Sequence, residues 1–96
     1  MANQNQQQIK MNASEDVLKG AYANAMQISH TKEEFILDFF LAHPPQGQLA
    51  SRVITSPGHA KRIVAALQQN IKNYEEKFGE IKEAEGPKGG NIGFSA

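Results

Sequence analysis

A single long amphipathic helix, with no second helix beside it, constrains this chain more than any other feature. Between Ser56 and Gly79 the apolar residues Ala60, Ile63, Leu67, Ile71, Tyr74 and Phe78 recur at spacings of three and four, which is one stripe on an α-helix. Lys61, Gln68, Lys72, Glu75 and Glu76 fall on the other side. Ser56 is a good N-cap, and Pro57 in the first helical position forfeits no hydrogen bond that the helix could use. Gly79 stands where a left-handed residue ends a helix. The span is about 33 Å at 1.5 Å per residue. One helix covers only one face of a small sheet. The other face needs a second cover, which favours a homo-oligomeric module over a self-contained enzyme.

The preceding residues read as strands. Residues 9–12 suggest a short first strand, and residues 14–18 a turn or one helical turn capped by Ser14. Residues 21–30 alternate, and residues 34–42 (EFILDFFLA) are apolar on both faces. The segment from His43 to Gly47 contains Pro44-Pro45 and must be a loop, because consecutive prolines cannot continue a ladder. Residues 48–55 return antiparallel. Setting Asp38 opposite Arg52 pairs the one acid of its strand with the one base of the other. It also matches Ile36 with Ile54, Leu37 with Val53, Phe40 with Ala50 and Leu41 with Leu49. The expected fold is α+β: a three- to four-stranded antiparallel sheet followed by one long C-terminal helix. The helix is expected on one face of the sheet, that of Phe35, Leu37, Phe39 and Leu41 being its natural seat, although the two faces could be exchanged. The opposite face would carry Tyr22, Met26, Ile28, Ile36, Phe40 and Ile54 around the Asp38–Arg52 pair. Such a patch reads as the interface of a homodimer, with Tyr74 and Phe78 at the helix end reaching toward the partner.

Ninety-six residues allow one domain. The polar, Gln-rich residues 1–6 and the Gly-rich residues 81–96 read as disordered tails, leaving one folded domain over residues 7–80. A core that short is marginal alone, and association would help it. No stretch is apolar enough for a signal peptide or a membrane span. Without cysteine, disulfides and thiolate metal sites are excluded, and a cytoplasmic location fits. Ten basic and ten acidic residues balance, whereas nucleic-acid binders usually show a basic excess.

The candidate sites favour structure over chemistry. His30, His43 and His59 cannot converge from one chain, since His43 belongs to the opposite end of the sheet, and no histidine pair sits at i, i+4 on the helix. They read as loop and cap residues, so neither a metal nor a cofactor is expected. Asp38 inside an apolar strand invites a shifted pKa, but its first reading is a structural pair with Arg52. Asn70, within the apolar stripe, either fixes register or oligomeric state or bonds a strand end or a water. Lys61 and Arg62 near the helix N-terminus offer a contact for an anion or an acidic partner. No nucleophile, base and orienting group can be placed together, so no catalytic residue is assigned.

The strings AYANAMQISHTKEEFILDFFLAHPP and SRVITSPGHAKRIVAALQQNIKNYEEKFGEI resemble a small prokaryotic family known only as a domain of unknown function (DUF3467-like). The resemblance rests on Tyr22, Glu34-Phe35 with Asp38-Phe39, Ser51-Arg52, Ser56-Pro57, His59-Ala60-Lys61-Arg62, and Tyr74-Glu75-Glu76 with Phe78-Gly79. It implies no activity, ligand or catalytic residue. The expected architecture also resembles that of SecB-type export chaperones, which implies a holdase as an alternative to the interaction module. A nucleic-acid-associated regulator using Lys61, Arg62 and Arg52 is a further alternative.

Overall fold

A computed structural model of the chain describes residues 7–85. The expected tail at 1–6, and residues 86–96 of the one expected at 81–96, lie outside the described residues. The described chain runs α1 (Glu15–Lys19), β1 (Ala25–His30), β2 (Phe35–His43), β3 (Gln46–Thr55) and α2 (Pro57–Phe78). The three strands form one antiparallel sheet in the order β1-β2-β3. The fold is α+β, three antiparallel strands followed by a C-terminal helix, as the sequence predicts. The short strand suggested at residues 9–12 does not form, and that segment holds no regular element.

Local chemistry accounts for the joints. The Ser14 hydroxyl accepts from the Val17 N–H at 3.3 Å, opening the single turn of α1. Between β1 and β2 the Thr31 hydroxyl accepts from the Glu33 and Glu34 amides, and the Thr31 N–H donates to the Glu34 carbonyl. Each bond ties a turn group that no ladder can reach. Between β2 and β3 the strands run to His43 and Gln46, so Pro44-Pro45, joined by a cis peptide bond, is the whole turn. The five-residue loop expected there is shorter because Gln46 and Gly47 pair with His43 and Ala42.

The register follows expectation from Phe35 to Asp38 and then departs from it. Ile36 faces Ile54, Leu37 faces Val53 and Asp38 faces Arg52. Past Phe39–Ser51 a β-bulge leaves Ala50 unpaired, so Phe40 meets Leu49 and Leu41 meets Gln48. The expected pairs Phe40–Ala50 and Leu41–Leu49 are therefore corrected. A regular ladder would put Leu49 on the far face from Phe40. The extra residue moves Leu49 across the sheet to lie beside Phe40, a large apolar side chain against a large one.

The helix contradicts the expected layering. α2 is capped as read: the Ser56 hydroxyl accepts from the His59 N–H at 3.1 Å, and Gly79 exits at φ 98°, its N–H donating to the Glu75 carbonyl. Yet it does not lie across the face of Phe35, Leu37, Phe39 and Leu41. Ile63 is half-buried, while Val64, Leu67, Ile71, Tyr74 and Phe78 stand 53, 58, 47, 50 and 66% exposed. The reason is the joint. Ser56, in an extended conformation, is the one residue between Thr55 and Pro57. A single residue leaves no chain with which to reverse direction and fold a helix back over the sheet.

Candidate functional site

With α2 held away from the sheet, little of the described chain is interior. Leu37 and Phe40 are the buried apolar residues, and Asp38 is the buried charge. All three sit on the central strand, where neighbours on both sides remove water. Asp38 is matched to its position: the Arg52 Nε donates to Oδ1 at 2.7 Å and an Nη donates to Oδ2 at 3.0 Å, a two-point fork. These hydrogen bonds hold the Asp38 carboxyl below the usual carboxylate range despite the opposing effect of desolvation, and raise Arg52 in turn. The carboxylate is therefore a fixed, fully engaged anion with no proton to exchange near neutral pH. Among the described residues no buried side-chain nitrogen or oxygen lacks a partner.

The side chains expected at one interface are distributed over four places. Tyr22 lies before β1, largely exposed and outside any regular element. Met26 and Ile28 pair with Phe39 and Leu37, so they share that face and not the face of Ile36, Phe40 and Ile54. Of the latter three, Phe40 is buried and Ile54 is 54% exposed. Tyr74 and Phe78 lie on α2, their ring centroids 4.9 Å apart, with the Lys77 ammonium 5.3 Å from the Phe78 ring. The grouping of Met26 and Ile28 with Phe40 is thus corrected, and one residue explains why. Asn24 donates its backbone N–H to the Phe40 carbonyl, and its side-chain amide both donates to the Ala42 carbonyl at 2.9 Å and accepts from the Ala42 N–H at 2.8 Å. The amide acts as one more peptide of β1 and sets Ala25 opposite Phe40. Nothing in the sequence signals this, since an asparagine between alanines looks like any polar residue. Asn24→Ala is expected to speed hydrogen exchange at the Ala42 amide and to lower stability by about 1 kcal/mol, the usual worth of such bonds.

The remaining candidates resolve locally. His30 stacks on Phe35 with centroids 5.2 Å apart, the His43 Nδ1 lies 3.2 Å from the Pro44 carbonyl, and the His59 amide is taken by the Ser56 cap. Among the described residues no three His, Cys, Asp or Glu side chains are placed to hold a metal ion. Asn70 donates to the Ala66 carbonyl of its own helix at 3.0 Å. Of the three bases considered for an anion, Arg52 is engaged by Asp38, while Lys61 and Arg62 are exposed on α2. No described helix is long and apolar enough to cross a membrane.

These elements are the ones that carried the resemblance, and the comparison with known families agrees. Residues 1–83 match the family described as protein of unknown function DUF3467. The chain belongs to the DUF3467 family. No curated protein and no solved structure matches it. Membership in DUF3467, a family of unknown function, brings no chemistry with it.

Proposed function

We propose that this DUF3467 chain works as a non-enzymatic, homo-oligomeric protein-interaction module of the cytoplasm. One observation carries the reading: a 22-residue helix leaves its apolar row about half exposed from Val64 to Phe78. An isolated helix is marginal in water even with favourable composition, and most helical stability in proteins comes from packing an apolar face. A contiguous apolar row on a soluble protein marks a contact surface. The absence of cysteine from the sequence suits a reducing compartment. The engagement of Arg52 by Asp38 removes one of the three bases that a nucleic-acid reading requires.

The expected solution species is a dimer whose mass does not change with dilution through the micromolar range. Leu67→Asp places a charge in the middle of the row, and light scattering should then return the monomer mass. A wild-type chain that is a stable, helical monomer at those concentrations would overturn the reading.

A further inference from the structure

The exposed row of α2 is narrower and more regular than a sheet-packing face. Ala60, Val64, Leu67, Ile71, Tyr74 and Phe78 follow one another at steps of four, three, four, three and four. This is the 3.5-residue spacing by which one helix addresses another. A helix that packs on a sheet shows a wider apolar face. Ile63, the stripe member outside this row, is half-buried, as is Ala60 at the row's N-terminal end, while the row's members from Val64 to Phe78 are exposed.

The order of side chains along the row gives the partner's direction. If two copies ran parallel, each residue would meet itself. Ala60 would face Ala60 and leave a gap, Phe78 would crowd Phe78, and neither Lys61 nor Glu75 would meet an opposite charge across the seam. If they run antiparallel about a two-fold axis between Leu67 and Ile71, Ala60 meets the partner's Phe78, Val64 meets Tyr74 and Leu67 meets Ile71. Every layer then sets a smaller side chain against a larger one or two of equal size, as close packing requires. The flanks agree. On one, Lys61 lies beside the partner's Glu75 and Gln68 beside its own copy. On the other, Lys77 lies along Ile63, where its stem covers apolar surface. Glu75 is already fixed for this role, because its Oε2 accepts from the Ile81 N–H at 3.0 Å. The axis falls near the middle of Pro57–Phe78, so the overlap uses nearly the whole helix.

We propose that α2 is a self-complementary contact that pairs antiparallel with α2 of a second copy of this chain. The inference rests on the homo-oligomer reading above and adds the contact and its polarity. The natural sequence has no cysteine, so single cysteines report the geometry without interference. Ala60→Cys and Phe78→Cys chains, mixed and oxidised, should give the mixed covalent dimer, and neither variant alone should cross-link. Lys61→Glu and Glu75→Lys should each raise the dimer dissociation constant about tenfold, since each puts like charges together at two symmetric places. The double variant should restore it. Self-cross-linking of Ala60→Cys would show parallel helices and overturn the proposal. A dimer that cross-links at neither position and ignores both charge changes would overturn it while leaving the oligomer reading intact. A wild-type monomer would remove both.

Discussion

Phe40→Ala is expected to unfold the sheet. Removing a buried phenylalanine side chain costs about 3–5 kcal/mol, and small domains rarely have more than about 5–15 kcal/mol in total. Here Phe40 and Leu37 are the buried apolar residues of the described chain, so neither has neighbours able to make up the loss. Urea denaturation followed by far-UV circular dichroism should show the sheet transition move below about 1 M or vanish, given slopes of about 1–3 kcal/mol per molar. A loss under about 1 kcal/mol would mean that the sheet is held by something other than its central strand. Because Phe40 is buried, an acidic residue there would also unfold the chain, so it cannot serve as a probe of the proposed subunit contact. The exposed row of α2 supplies that probe.

Arg52→Ala should reverse the sign of the acid response. In the wild type, Asp38 has a folded-state pKa held down by Arg52. The pair's contribution is thus complete above the unfolded carboxyl value of about 3.9 and is lost as pH falls through the lower folded value. Without the guanidinium, desolvation alone acts on the Asp38 carboxyl and raises its pKa above the unfolded value. The folded state then binds the proton more tightly, and stability grows as pH falls. Thermal melting between about pH 3 and pH 6 should therefore slope upward with pH in the wild type and downward in Arg52→Ala, with the variant the less stable at neutral pH. Parallel slopes would show that Asp38 does not depend on Arg52.

Where the sequence was legible, a residue type allowed one interpretation. Ser56, Pro57 and Gly79 bound the helix because cap chemistry is local, and Asp38 found Arg52 because each is the charged residue of its strand. Where it was illegible, the deciding quantity was relative. The parity of β1 depends on a side-chain amide reaching a strand eighteen residues away in sequence, from Asn24 to Ala42. The bulge at Ala50 is chosen by the neighbour it gives Phe40, which appears in no window of β3 alone. The seat of the helix depended on the length of a joint. Ser56 was legible as a cap, but its second role, as the only residue between Thr55 and Pro57, governs direction and leaves no mark on periodicity. The candidate contact shares that fate. Tyr74 and Phe78 were readable on the helix, but their companions are Val64 and Leu67, not Met26 and Ile28.

The one-residue joint at Ser56 has a consequence for reach. The direction of each helix follows from the last pairs of its own β3, so a protomer holds its sheet at the helix N-terminus like a head on a shaft. Two shafts laid side by side in opposite sense, as proposed above, would carry their heads at opposite ends, separated by about one helix length, roughly 33 Å at 1.5 Å per residue. A target offering two copies of the same feature at that separation would be held by both heads at once, and the second attachment would proceed at the effective concentration set by a rigid spacer and not by diffusion. If the helices pair as proposed, the joint would give a small, weakly cored chain the means of measuring distance.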